Sequence, residues 1–288
     1  MIKIHDFEVE EDLRETGCPV LASKTGKLFW LTRCPYDMTL SRAREIKEAF
    51  NESILPNGNL DLPLFFKEKG IWYCADVYYS SEMDGYNAKV FSALPAVHRQ
   101  RIVFGSIYAL KTLHEAGLVH GSISPDAFRV HISRDGSFRT RLSKFAYAGT
   151  EGRRISGYPD GYAAAECGND YISQKTDTFA LGVTIYFWLT GKLPQWTEDK
   201  RLILPDFVPT GYYPLLGAML QFDEKDRIRL RCIDKGRYKD FFLFPLTKYP
   251  LISHQALGTE NGEYLKQLQR NRINYQPEYV GKMDFKVW

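Results

Sequence analysis

One stretch of the chain reads Leu113-His114-Glu115-Ala116-Gly117-Leu118-Val119-His120-Gly121-Ser122-Ile123-Ser124-Pro125-Asp126-Ala127-Phe128. Before it, apolar residues recur at helical spacing over residues 99–114, which predicts a helix. After it, residues 128–132 and 137–142 alternate in polarity around an Asp-Gly pair at 135–136, which predicts a β-hairpin. The quoted stretch is therefore a loop that joins a helix to a hairpin.

This loop resembles the end of helix E and the catalytic loop of protein kinases, which read L-H-x-x-G-I-V-H-R-D-L-K-P-E-N-I. The chain keeps the frame of that motif at Leu113, His114, Gly117, Val119, His120 and Pro125. In kinases the Asp of this loop takes the substrate proton and the Asn holds a Mg²⁺ ion. Here Gly121-Ser122 replaces Arg-Asp and Ala127 replaces the Asn, so the resemblance implies a kinase-like fold without these reactive side chains.

Further kinase-like motifs follow in the expected order. Lys144-Phe145-Ala146 stands where kinases have D-F-G, and Ala164-Ala165-Glu166 stands where they have A-P-E. The run that begins at Asp177 resembles the start of kinase helix F. Arg227 resembles the arginine that pairs with the A-P-E glutamate, so the resemblance implies an ion pair between Glu166 and Arg227.

The resemblance gives the retained residues structural roles. His120 and Phe145 would lie in a spine of apolar contacts that links the two lobes of the fold. Asp177 would accept hydrogen bonds from the backbone of the catalytic loop, and its charge suits the positive end of the helix dipole. We expect these residues to hold the fold.

The predicted fold class is α+β, a two-lobed protein-kinase-like fold with a small β-rich lobe, a larger helical lobe and a C-terminal extension. Residues 1–79 form the predicted N-lobe, with a hairpin at 19–22 and 28–33, a helix over 39–54, and strands over 62–66 and 71–79. Residues 80–240 form the predicted C-lobe. The tail, 241–288, holds one predicted helix at 263–270 and either packs on the C-lobe or docks a partner.

Several residues that touch phosphate in kinases are replaced in the N-lobe. The strand lysine of V-A-I-K falls near Thr32, and its neighbour Arg33 would face the opposite side of the strand. The region before the first predicted hairpin has one glycine where a glycine-rich loop has three. On the predicted helix, Glu45 and Glu48 are candidates for the inward-facing glutamate, and the sequence does not show which of them, if either, points inward.

Lys144 places a cation where kinases bind divalent metal. One interpretation is that it contacts a nucleotide phosphate directly, without metal. The other, which we expect, is that it pairs with a carboxylate such as Asp126 or Asp76 and plugs the cleft. No cofactor and no metal site follow from the sequence.

Residues 147–163 correspond to the kinase activation segment. Within it, Arg153-Arg154-Ile155-Ser156 resembles the target of a basophilic kinase, which makes Ser156 a candidate phosphorylation site. Such short motifs also occur by chance. The loss of the catalytic-loop Arg at Gly121 removes the usual receiver of an activating phosphate.

Composition excludes several other classes of protein. The 288 residues carry a net charge of +3, too small a charge to indicate nucleic-acid binding, and no apolar run is long enough to predict a membrane span. The five cysteines form no Cys-x-x-Cys pair, which argues against a disulfide framework and a zinc site. We expect a cytoplasmic protein.

The sequence alone therefore suggests a pseudokinase that is not an enzyme and acts as a protein-interaction scaffold or allosteric regulator. Its expected partners are proteins, with an active kinase or its substrate among them. Two alternatives remain open at this point: a metal-free nucleotide sensor, and a kinase-fold enzyme that catalyses another transfer, such as nucleotidylation or glutamylation.

Overall fold

A computed structural model of the chain describes residues 2–9, 15–54, 60–78, 82–84, 88–132, 138–205, 208 and 212–233. These residues form strands β1 (Ile2–Ile4), β2 (Phe7–Val9), β3 (Pro19–Lys24), β4 (Lys27–Arg33), β5 (Leu64–Glu68), β6 (Ile71–Val77), β7 (Glu82–Asp84), β8 (Phe128–Ile132), β9 (Phe138–Leu142), β10 (Gly152–Arg153) and β11 (Tyr171–Ile172). The helices are α1 (Leu40–Ala49), α2 (Ala88–Ala93), α3 (Ala96–Glu115), α4 (Gln174–Thr190) and α5 (Tyr213–Met219). This mixture of sheet and helix is an α+β fold.

The first six strands form one antiparallel sheet in the order β1-β2-β3-β4-β6-β5. Side chains alternate across a strand, so β4 has two distinct faces. Phe29 and Leu31 pack into a small core with Phe7 and Val9. Trp30 and Thr32 lie on the opposite face, where they pair in register with Asp76 and Cys74 of β6.

Helix α1 follows β4 and begins at an N-cap, where the Thr39 side chain accepts a hydrogen bond from the Arg42 backbone N–H. Its chain continues as one π-helical turn, Phe50–Ile54. Arg42 and Ile46 of α1 and Phe50 of the turn are buried, whereas Glu45 and Glu48 are exposed. Neither glutamate is therefore inward-facing.

The quoted loop leaves α3 through Gly117, whose φ of 78° belongs to the left-handed region that glycine adopts easily. Val119 then forms an antiparallel bridge with Gly149, and the chain enters the antiparallel pair β8–β9. The short strand β7 pairs with β8 on its other side.

Helix α4 runs through the main core and is buried along most of its length. A capping box formed by Ser173 and Thr176 begins it, and Gly191 in the left-handed conformation ends it. No helix in the described part of the chain is both long and apolar enough to cross a membrane.

The bounds predicted from the sequence agree within a few residues for the hairpin before α1, for α3 and for the β8–β9 hairpin. The three-residue strands β1 and β2 were not predicted individually. The predicted tail, 241–288, and its helix at 263–270 lie outside the described residues.

Candidate functional site

The loop after α3 is held by Asp177, which is fully buried near the start of α4. Its Oδ2 accepts a hydrogen bond from the His120 backbone N–H at 2.6 Å, and its Oδ1 accepts one from the Gly121 N–H at 2.9 Å. The Tyr158 hydroxyl donates to Oδ1 at 2.7 Å, and His114 Nε2 lies 3.1 Å from Oδ2. A single carboxylate thus fixes α3, the loop and the 147–163 segment relative to α4.

These hydrogen bonds also keep the Asp177 carboxylate charged. Burial acts to raise its pKa, but hydrogen bonding and charge from His114, with a hydrogen bond from Tyr158, bring the pKa below its usual value. The same carboxylate disfavours ionisation of the Tyr158 phenol, whose pKa burial raises well above normal.

A row of ring contacts links the loop after α3 to the π-helical turn after α1. The His120 ring lies 5.4 Å from the Phe145 ring, and Phe145 meets Phe50 edge-on at 5.3 Å between centroids. His120 Nε2 lies 2.8 Å from the Ser143 carbonyl oxygen, which is the arrangement of an N–H donor. Burial lowers the pKa of His120, so the ring is neutral near pH 7.

The three replaced positions carry no carboxylate or amide side chain. The Ser122 hydroxyl donates to the Gly157 carbonyl oxygen at 2.9 Å, and Ala127 is fully buried. Lys144 is half-buried in the left-handed conformation, with φ 67° and ψ 52°. Mg²⁺ prefers oxygen ligands, and neither the Ala127 methyl group nor the Lys144 ammonium supplies one, so these side chains do not fit it. No group of three His, Cys, Asp or Glu side chains suited to a metal ion occurs among the described residues.

Lys144 lies near the loop that precedes β3. A hydrogen bond to Glu15 raises the pKa of the Cys18 thiol, and the charge of Lys144 acts in the opposite direction. The adjacent Gly17 has a φ of 82°, and a Cβ atom there would lie 2.6 Å from the Tyr147 hydroxyl oxygen. The loop therefore closes tightly over the chain that follows Lys144.

Asp76 is a buried carboxylate at the same site. Burial raises its pKa to about 7, while Arg129, the backbone N–H groups of Phe145 and Lys144, and the Cys74 thiol all act to lower it. Asp76 thus contacts the backbone of Lys144 from the sheet. Thr32, two register pairs away, is 1% exposed on the same face of the sheet.

A cluster of one carboxylate and two arginines, Asp37, Arg42 and Arg154, holds the segment after Lys144; we call it the arginine clamp. Arg42 Nε donates to the Ala148 carbonyl oxygen at 2.7 Å and its Nη2 to that of Tyr147 at 2.8 Å. Arg154 Nη1 donates to the same Tyr147 carbonyl oxygen. Asp37 accepts from Arg42 Nη1 at 3.2 Å and from the Ile155 backbone N–H at 3.0 Å.

The clamp was missed by sequence reasoning. Arg154 Nη1 lies 3.5 Å from where a Cβ atom of Gly121 would be, so a guanidinium does occupy the neighbourhood of the missing loop arginine. It comes from residue 154, inside the Arg-Arg-Ile-Ser motif. Ser156 itself is half-buried between two residues whose N–H groups are hydrogen-bonded, Ile155 and Gly157. Its phosphorylation stays a prediction.

Glu166 and Arg227 are in contact beside the first turn of α4. Arg227 Nη1 donates to Glu166 Oε1, and Nη2 lies 3.4 Å from Oε2. The same guanidinium donates to the carbonyl oxygens of Lys175, Gln221 and Phe222. Because the Arg227 side chain is fully buried, this pair is part of the packing there.

No protein-family profile matches the chain. Among curated proteins, a serine/threonine-protein kinase of Arabidopsis thaliana, GRIK1, is 28% identical over 159 residues, which cover 49% of this chain and 39% of that protein. A second, GRIK2, is 33% identical over 42% of this chain and 31% of its own length. An Aurora kinase of Eremothecium gossypii is 27% identical over 44% of this chain and 38% of its own length.

The chain is similar to serine/threonine protein kinases. It matches between 31% and 39% of the length of these three relatives. Their names support the protein-kinase-like family that the loop motif indicated.

The same names correct the functional prediction. The interpretation of the chain as a pseudokinase that is not an enzyme, serving as a scaffold or regulator, is wrong by this comparison, because the relatives are named as kinases. The alternatives of a metal-free sensor and of a different transfer activity fall with it. That interpretation rested on the side chains that replace reactive kinase residues, at Thr32, Ser122, Ala127 and Lys144.

Proposed function

We propose that the chain is a kinase-like phosphotransferase that transfers a phosphoryl group from ATP to a serine or threonine hydroxyl of a protein. The acceptor oxygen forms a bond to the γ-phosphorus, the bond from that phosphorus to the bridging oxygen breaks, and ADP leaves. The hydroxyl proton passes to solvent. The names of the relatives support this reaction class.

One observation carries the proposal: the loop after α3 is held in place by Asp177, and His120, Phe145 and Phe50 are packed in one continuous row. Phosphoryl transfer asks for little covalent chemistry from the protein. Its catalysis comes almost entirely from positioning and from electrostatic stabilisation of the phosphate charge. A rigid loop at this place supplies the positioning.

Lys144 is our candidate for the electrostatic part. A fixed ammonium close to the transferring phosphate stabilises the negative charge on its oxygens. The proximity of Lys144 to the loop of Gly17 and Cys18 supports this role, because the resemblance places phosphates beneath that loop. The reaction assigned to these residues is slow, since Ser122 offers no carboxylate to accept the proton.

The two-lobed arrangement belongs to the proposal, with an N-lobe at 1–79, a C-lobe at 80–240 and a tail at 241–288. The proposal also includes a protein partner, which here is the protein substrate, and a cytoplasmic location. The phosphate donor would bind between the β4–β6 face of the sheet and the loop that contains Ala127.

The test is transfer of labelled phosphate from [γ-³²P]ATP to a mixed library of serine and threonine peptides, with and without Mg²⁺. We expect incorporation by the purified chain and at least a tenfold loss in Lys144→Ala, which corresponds to about 1.4 kcal/mol of transition-state stabilisation. Lys144→Arg keeps the charge and is expected to retain part of the activity.

Two controls separate this outcome from a contaminant or a folding defect. Glu48→Ala changes an exposed residue of α1 and should leave incorporation unchanged. Thermal unfolding of each variant checks that the fold survives. Incorporation no higher than in a protein-free blank, or equal in the wild type and Lys144→Ala, would overturn the proposal.

A further inference from the structure

Trp30 joins the sheet to the hairpin at the outer end of the cleft. It lies on the cleft face of β4, two residues from Thr32 and directly opposite Asp76 of β6. The guanidinium carbon of Arg129 is 5.1 Å from the centre of its ring. The Tyr78 ring meets the Trp30 ring edge-on, at 5.4 Å between ring centroids.

Arg129 is a buried charge in this contact. It lies on β8, two residues beyond Ala127, and is 5% exposed. Its charge acts on the Asp76 carboxyl, whose pKa it lowers against the larger effect of burial. A cation over an indole face is attracted more strongly when it is shielded from water. The contact between Arg129 and Trp30 is therefore a stable feature of the cleft.

The position of the pair matters for a nucleotide. The proposed function puts phosphates near Lys144, beside Thr32 and Ala127. Residues two apart on a strand are separated by about 6.6 Å, so Trp30 and Arg129 lie one such step farther toward Tyr78. The Tyr78 backbone N–H donates to Leu28 at 3.0 Å, which fixes that end of the cleft. A nucleotide with its phosphates at Lys144 would direct its base to this end.

We propose that Trp30 and Arg129 form a cap that fills the place of the nucleotide base, and that a purine nucleotide binds only when their contact opens. This inference rests on the proposed function for the location of the phosphates. The cap weakens binding of the nucleotide base and does not affect binding of the phosphates near Lys144. Trp30 and Arg129 thus set the nucleotide affinity of the cleft.

Calorimetric titration of the full chain with three probes tests the cap: ATP, adenosine and inorganic tripolyphosphate. In Trp30→Ala we expect ATP and adenosine to bind about tenfold more tightly than in the wild type, because the cap no longer has to open. Tripolyphosphate carries no base, so its affinity should not change. Tyr36→Ala removes an aromatic side chain that is 94% exposed and serves as the matched control.

A second variant protects the test against misfolding. Trp30→Leu keeps apolar bulk in the sheet while removing the ring, and it should shift adenosine affinity in the same direction. Equal ATP affinity in the wild type and both variants, weaker binding in the variants, or an equal gain for tripolyphosphate would overturn the cap. Tighter adenosine binding by the variants without any phosphate transfer would support the cap and contradict the proposed function.

Discussion

At the scale of single residues, Asp76 shows how burial sets the behaviour of one carboxyl group. Its pKa is raised to about 7, with burial as the largest cause. The folded chain therefore binds a proton between about pH 4 and pH 7 that the unfolded chain does not hold. Stability from this group is full below pH 4 and is lost as the pH rises through 7.

Asp76→Asn should remove this dependence. Relative to the wild type, the variant should gain stability steadily between pH 4 and pH 7, by up to about 4 kcal/mol over the window. The substitution also changes the surroundings of Arg129. If this adds a constant difference in the free energy of unfolding, it shifts the whole curve of stability against pH and does not change its slope. Denaturant unfolding at several pH values measures the slope, with Tyr36→Ala as the control that keeps it. Parallel curves for Asp76→Asn and the wild type would contradict the prediction.

At the scale of elements, the arginine clamp ties α1 to the segment after Lys144. The charge of Arg42 disfavours the charge of the nearby Arg154 guanidinium. Burial, with the charge of Arg42, lowers the pKa of Arg154 to about 10, and Asp37 acts in the opposite direction. Asp37 pairs with Arg42 and accepts from the Ile155 backbone N–H with the same carboxylate.

Asp37→Ala should loosen this segment without unfolding the chain. Hydrogen bonds to a charged group contribute about 1.5–3 kcal/mol, so amide exchange around Ile155 is expected to accelerate roughly tenfold or more. Exchange within α4 should stay slow. Glu48→Ala, on the exposed face of α1, is the control. If both variants exchange at the wild-type rate around Ile155, the clamp does not hold the segment.

The elements also show what the sequence can predict. Apolar spacing identified α1 and the turn that follows it, with Ile46 and Phe50 on the inner face, because periodicity is a local property of the chain. It did not identify Arg42 as buried, since the partner of Arg42 at Ala148 is 106 positions away. The kinase-like motifs indicated which residues flank the cleft, but the contact between Trp30 and Arg129 joins two strands far apart in sequence. Three-residue strands such as β1 are too short to carry a pattern.

At the scale of the whole molecule, α4 is the element on which distant parts meet. Asp177, near its first turn, holds the loop that contains Ser122. Arg227 joins residues after α5 to Glu166 and to the Lys175 carbonyl oxygen of α4. Its guanidinium also lies 4.8 Å from the Phe179 ring centre. The site therefore depends on packing around the first turns of one buried helix.

Arg227→Lys tests this dependence, because lysine cannot reproduce the planar, forked hydrogen bonding of a guanidinium. We expect a loss of about 3 kcal/mol in the free energy of unfolding, since Glu166 and several carbonyl oxygens lose their donors in a buried place. Arg231→Lys changes an exposed residue nearby and should stay within about 0.5 kcal/mol of the wild type. Glu166→Gln leaves the Arg227 guanidinium in place as the donor to the carbonyl oxygens. Its loss in the free energy of unfolding should therefore be smaller than that of Arg227→Lys. Denaturant unfolding orders the three variants, and an Arg227→Lys curve that overlies the wild type would mean that α4 holds the molecule without this pair.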